Sequence, residues 1–292
     1  MKLMRYGVAG VPALGSVIED GVVDVSTAAP DFSGVLAPAG IAAARRLTNE
    51  RAAVHPFNDV QPLLPLAPNA RVFCVGQNYV EHIREMGYEI PKYPSIFMRT
   101  HESFAPTGAA IVKPRVSDHF DYEGELTVVI GHLARHVVEA DALDCVAGYT
   151  IMNDGSVRDW QRRVAQVAPG KNFDLSGALG PWVATADEIT DPAALILETR
   201  VDGEVRQNTS TGDMVFSVPY LISYISTFCE LRPGDLISTG SPSGAAAGFD
   251  PPRWLRPGQT LEIEISHCGC ENEKVEIYIH YIFAFTFPIL AA

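Results

Sequence analysis

Short apolar runs broken by glycine and proline recur along this chain: "VFCVG", "PSIFMR", "AAIVKP", "ELTVVIG", "VAGYTIMND", "GPWVAT", "LETRVDGEVRQN", "GDLISTG" and "QTLEIEIS". Runs of this length between turn residues predict strands, and their number predicts a β-rich, mixed α/β fold. Helical patterns are fewer. They fall at 38–54, 80–87, 157–165 and 215–231, the last with Pro219 near its start, as a first turn permits. The first 65 residues read as short strands, turns and one small helix. The proline-rich stretch 57–70 has neither period and reads as a linker.

One predicted strand breaks the apolar rule. In "DYEGELTVVIG", Glu123 and Glu125 stand two apart, so on a strand they point to the same face. Buried like charges are costly unless a positive charge lies between them. Asp154 ends the strand-like "VAGYTIMND" and adds a third acid at a turn. Three carboxylates from two strand ends suit an oxygen-preferring dication, Mg²⁺ or else Mn²⁺ or Ca²⁺, and without histidine or cysteine beside them they do not suit zinc. The spacing alone equally fits an exposed strand end whose acids pair with arginines.

Composition narrows the classes. Of 292 residues, 47% are hydrophobic and 20% charged, as in a globular protein with a sizeable core. A net charge of −13 argues against nucleic acid as a partner. The five cysteines are odd in number and scattered apart from Cys268 and Cys270, and no secretory signal is evident at the start, so a reducing, cytoplasmic setting is expected. Cys268-Gly269-Cys270 is a weak soft-metal signal without partner ligands. The apolar run from Ile277 is shorter than a membrane span needs and reads as a terminal strand over a core or interface, with an interfacial anchor as the alternative.

Taken in order, "VGQNYVEHIREMG", "PSIFMR", "DYEGELTVVIG", "VAGYTIMNDGSVRDWQ", "GKNFD", "GPW", "VDGEVRQNTSTGDMVF", "LRPGDLISTGSPSG" and "LRPGQTLEIEIS" resemble the fumarylacetoacetate hydrolase superfamily through most of residues 70–265. That resemblance implies a small N-terminal β-rich domain over 1–65, a catalytic domain of roll-like fold over 66–275, and an atypical apolar tail over 276–292. It further implies Mg²⁺ on Glu123, Glu125 and Asp154, a homodimer, and a small keto-acid substrate.

The resemblance also assigns roles. His82 and Glu85, one helical turn apart, match a pair that acts as general base on water from a lid; as residues alone they read as an ordinary i,i+3 ion pair. Lys171 matches the family's active-site lysine, which stabilises a developing enolate. Gln161 matches a substrate contact, whereas Arg158, four after Asp154, either shares that role or neutralises the acids. Thr211 and the turn Thr239-Gly240-Ser241 match segments that bind a substrate carboxylate.

Several positions depart from the family's pattern. Ser241 replaces a threonine, alanines replace a Gly-Val pair in "TGSPSGAAAG", Arg99 stands where many members have lysine, Gly155 replaces an apolar residue, and the tail from His267 is unlike the family's ending. The chemistry implied is hydrolysis of a C–C bond in a β-diketo or β-keto acid. Decarboxylation, keto–enol tautomerisation or a silent metal-binding relative are the alternatives. "RDWQRR" and "PPRWLRPG" resemble the branch of the oxaloacetate tautomerases, acylpyruvases and ureidoglycolate lyase-like members.

Overall fold

The computed structural model describes residues 1–266 and the backbone of the strand Lys274–His280. The Cys268-Gly269-Cys270 motif and the apolar tail beyond His280 lie outside the described residues.

Among these residues the apolar runs form a mixed α/β, sheet-dominated fold. Twelve strands share one sheet, whose path runs Val54–His55, Gly21–Asp24, Val11–Ile18, Lys2–Val8, Gly177–Thr185, Val146–Asn153, Gly124–Ile130, Leu236–Ser238, Val72–Gly76 and Ser95–Arg99. Gln61–Leu63 and Phe104–Pro106 branch from it, on Lys2–Val8 and Gly177–Thr185. The central strands are covered on both faces: every residue of Gly124–Ile130 and of Val146–Asn153 is buried. Continuous apolar runs are what such strands require.

A second sheet, Glu204–Ser210, Ile196–Val201, Thr260–Ser266 and Lys274–His280, lies against the first. Their close approach explains one glycine. A Cβ at Gly124 would come within 2.3 Å of the Thr199 hydroxyl. Gly124 also donates its N–H to the Gln207 side-chain oxygen at 3.0 Å. The strand therefore turns its smallest residue toward the second sheet and the flanking Glu123 and Glu125 to the opposite face.

Some local expectations are modified. The helix expected over 38–54 forms as Pro38–Glu50 and ends at Arg51 in the left-handed region. The helix expected over 157–165 shrinks to the turn Arg158–Gln161, and Pro169 opens another at Ala168–Lys171. Within 57–70, Gln61–Leu63 pairs antiparallel with Lys2–Val8, Arg5 lying opposite Leu63. Its backbone finds partners in the N-terminal strand, which a local pattern does not reveal. Lys2–Val8 also pairs with Gly177–Thr185, with Lys2 opposite Ala184, so the N-terminal strands continue the main sheet. No helix among the described residues is long and apolar enough to cross a membrane.

Candidate active site

Register builds the site. Gly124 lies opposite Asn153 and Glu125 opposite Met152, so the two acidic strand ends meet. The Asp154 N–H donates to the Glu123 carbonyl at 2.8 Å, one step past the ladder. Carboxylate oxygens of Glu123, Glu125 and Asp154 all lie within 4.8 Å of one another, and all three residues are buried. Just beyond Asp154 the chain passes so close to its neighbour that a Cβ at Gly155 would sit 2.0 Å from the Ser176 carbonyl oxygen. That contact accounts for glycine where the family pattern has an apolar residue.

Three buried cations hold these acids. Arg158 donates to Asp121 Oδ2 and to Glu123 Oε1, both at 2.7 Å. Arg99 donates to Asp154 Oδ1 at 2.7 Å, to the Gly155 carbonyl at 3.0 Å and to the Ser176 hydroxyl at 3.0 Å. The Lys171 ammonium bridges Glu123 Oε2 and Asp154 Oδ2 and lies 5.1 Å from the centre of the Phe97 ring. Burial opposes the charge on Glu123, yet Arg158 and then Lys171 overcome it and hold this carboxyl well below its usual range. Burial likewise opposes the charge on Lys171, but Asp154 and Glu123 outweigh it and keep the ammonium protonated.

Glu125 differs. Its hydrogen bonds from the Ser238 hydroxyl at 2.5 Å and the Gly240 N–H at 3.0 Å both go to Oε2. Burial, Asp154 and Glu123 push its carboxyl well above the usual range. Lys171 offsets this only in part and no cation pairs with Glu125 among the described residues, so a further cation there would relieve it. Oxygen-only donors, mutual closeness and an ammonium already lodged between two of them fit a hard dication.

The cluster opens into a cavity of about 370 Å³ lined by Glu123, Glu125, Asp154, Arg158, Gln161, Lys171, His82 and Ser241, with Ile83, Met86, Tyr88 and Phe97 as apolar walls. His82 and Glu85 lie on the short helix Val80–Glu85, Nδ1 to Oε2 at 3.1 Å. Glu85 also accepts the Gly244 N–H at 3.1 Å. When Nδ1–H donates to Glu85, Nε2 is left as the basic nitrogen.

Other candidates fall elsewhere. The Thr239 hydroxyl donates to the Leu126 carbonyl at 2.9 Å, and the Gly240 N–H donates to Glu125 Oε2 at 3.0 Å, so the first braces the strand that carries Glu125 and the second its carboxylate. Ser241 reaches the cavity while accepting from Gln207 Nε2 at 2.9 Å. Thr211 differs from expectation: its hydroxyl donates to the Pro192 carbonyl at 2.7 Å and accepts the Leu195 N–H at 3.1 Å, away from the cavity. Arg158 pairs with Glu123 and Asp121 rather than Asp154, because Ser156–Val157 is extended and the helical turn starts only at Arg158.

Two further residues belong to the site, and the sequence pattern does not single them out for it. Asp121 continues the period-2 acidic spacing by one step and accepts the Ala246 N–H at 2.6 Å. Arg99 stands out in the sequence only as a departure from lysine.

A sheet-borne cluster of three carboxylates shares one cavity with a lysine and a carboxylate-held histidine, a set of side chains suited to enzyme chemistry. The family model described as the fumarylacetoacetate (FAA) hydrolase C-terminal domain matches residues 71–276, and the chain belongs to that family. A Burkholderia orbicola protein, whose name says only that it is an inferred hydrolase, is 40% identical over 280 residues, covering 94% of this chain and 98% of its own. A 5-carboxymethyl-2-hydroxymuconate delta-isomerase from Mycobacterium smegmatis is 30% identical, with a TM-score of 0.76 over 98% of this chain and 100% of its own. A maleylpyruvate hydrolase from Sphingobium sp. SYK-6, solved with manganese(II) and pyruvate, is 26% identical, with a TM-score of 0.77 over 97% of this chain and 99% of its own.

Proposed function

We propose that this protein is a divalent-metal-dependent enzyme that hydrolyses a carbon–carbon bond in an acylpyruvate-type β-diketo or β-keto acid. One observation carries the reading: the three acids, Lys171 and His82 open into the same cavity. Glu123, Glu125 and Asp154 would hold the ion, Mg²⁺ first, with Mn²⁺ or Ca²⁺ sharing its donor preference. Such an ion, when bound, would act as a Lewis acid on the carbonyl and carboxylate oxygens of the keto-acid end.

The side chains supply the rest. Glu85 fixes the imidazole, and His82 Nε2 takes a proton from the water that adds to the distal carbonyl. As the C–C bond breaks, its electron pair passes into an enolate, and the Lys171 ammonium stabilises the charge on the enolate oxygen. The proton held on His82 then returns to carbon, giving a carboxylic acid and a shorter keto acid. Arg158 and Gln161, joined at 3.0 Å, form the wall beside which the keto-acid end would lie.

Keto–enol isomerisation or decarboxylation needs the same lysine and no added water, and the resemblance to an isomerase favours isomerisation as the second reading. The test follows the enol absorbance of acylpyruvates and oxaloacetate with Mg²⁺, with and without EDTA, beside Glu123→Ala. Metal-dependent loss of absorbance, absent in Glu123→Ala, is expected, with cleavage products separating hydrolysis from isomerisation. Turnover indifferent to both EDTA and Glu123→Ala would contradict the proposal.

A further inference from the structure

Glu85 touches more than His82. Its carboxylate reaches the chain just after the turn Thr239-Gly240-Ser241, where the Gly244 N–H donates to Oε1 at 3.1 Å and to Oε2 at 3.3 Å. Further along, Gly248 faces the same group. A Cβ at Gly248 would come within 2.7 Å of the Glu85 carboxyl carbon and of both its oxygens, which are the atoms nearest to that point. The Gly244 N–H and the bare Cα of Gly248 thus form a seat for one carboxylate. In this seat the Glu85 side chain is 20% exposed and keeps Oε2 at 3.1 Å from His82 Nδ1.

The seat is held from behind. The Tyr122 hydroxyl donates to the Gly244 carbonyl at 2.8 Å. Asp121, fully buried, accepts the Ala246 N–H at 2.6 Å and the Ala247 N–H at 3.2 Å, and its Oδ2 also takes Arg158 Nε at 2.7 Å. Arg158 in turn holds Glu123. The short turn Ala246–Gly248 closes through the Gly248 N–H on the Ala245 carbonyl at 2.9 Å. Acid cluster and seat therefore share one frame, although His82 and Glu85 come from a distant part of the chain. Without that frame, a glutamate at the end of a six-residue helix would spread over its rotamers.

We infer that Gly248 is a positioning residue for the His82–Glu85 pair: its missing side chain makes the place from which the Glu85 carboxylate fixes the imidazole, and Asp121 holds that place in register with the acids. The inference rests on the proposed role of His82 as general base. Gly248 is needed for room rather than for backbone freedom, since its φ lies outside the left-handed region. Alanine fits that backbone and meets only the end of a flexible side chain, so it would displace Glu85 and leave the fold intact. His82 Nδ1–H would then lose its acceptor, and Nε2 would no longer be fixed as the basic nitrogen.

Two readouts test it, the first without substrate. The full chain carrying ¹⁵N-labelled histidine is followed by NMR at about pH 9, above the ordinary histidine range, with His82 identified by the signal missing from His82→Gln. The Nδ1–H tautomer is expected in wild type, and a shift toward Nε2–H in Gly248→Ala. A tautomer that Gly248→Ala leaves unchanged would overturn the inference. The second readout is a double-mutant cycle on acetylpyruvate with Mg²⁺. Gly248→Ala should lower kcat about 10-fold, the low end for loss of a histidine's orienting partner, with KM and Mn²⁺ binding unchanged. In Glu85→Ala the crowding is gone, so adding Gly248→Ala should cost nothing more. An equal loss in both backgrounds would mean that Gly248 serves the turn and not Glu85, overturning the inference while the base role stands. Wild-type kcat in Glu85→Ala would instead overturn the base role, and this inference with it.

Discussion

The floor and the rim of the cavity are built from different materials. At the floor, Glu123, Glu125, Asp154, Arg158 and Lys171 are each at most 5% exposed, and all but Glu125 are tied into ion pairs across strand ends. At the rim, Tyr88 is 50% exposed and Val164 is 56% exposed. A floor locked by register and reciprocal ion pairs can hold reacting groups in one geometry. A rim of exposed side chains can change with little cost to the fold. Under the proposed function, chemistry would belong to the floor and choice of substrate to the rim.

The largest effects should come from breaking the floor. Arg99→Leu removes a buried partner of Asp154 and leaves Ser176 and the Gly155 carbonyl without their donor, so unfolding free energy should fall by roughly 3 kcal/mol in urea denaturation. Lys171→Met should lower kcat/KM by about 10²- to 10³-fold, equivalent to about 3–4 kcal/mol. Mn²⁺ binding should survive or tighten in that variant, because the ammonium no longer bridges Glu123 and Asp154. A loss of metal together with activity would show that Lys171 organises the cluster instead of acting on substrate.

Smaller effects sharpen the boundary. Thr211→Val leaves the Leu195 N–H without its acceptor and the Pro192 carbonyl without its donor, so it should cost about 1–2 kcal/mol of stability. The folded variant should keep wild-type kcat/KM; a raised KM would return Thr211 to the site. Tyr88→Ala, at the rim, should change stability by under about 0.5 kcal/mol while shifting KM for the keto acid. An unchanged KM would mean that substrate does not reach that wall.

The floor is partly legible in the sequence because period-2 spacing and strand ends are local signals. Glu123 and Glu125 declare a shared face by themselves, and Asp154 declares a strand end. Their meeting does not show locally, because it depends on the register that sets Gly124 opposite Asn153. Arg99 escapes local reading for the same reason, coming from a strand at the far end of the sheet path.

Thr239 and Gly240 show the opposite difficulty. A hydroxyl and an N–H in a turn read as an anion site, but both are already engaged, one by the Leu126 carbonyl and one by Glu125. The N-terminal strands read correctly as strands, while their union with the main sheet through Lys2 and Ala184 spans most of the chain.

The proposed function stands or falls on Glu123, Glu125 and Asp154 binding a dication together. Titrating Mn²⁺ into the full chain and into Glu125→Gln, followed by electron paramagnetic resonance of the free ion, tests it most directly. One tight ion per wild-type chain is predicted, with loss of that site in the variant, which keeps the shape of the side chain but removes its charge. Equal Mn²⁺ binding by the two proteins would contradict the claim.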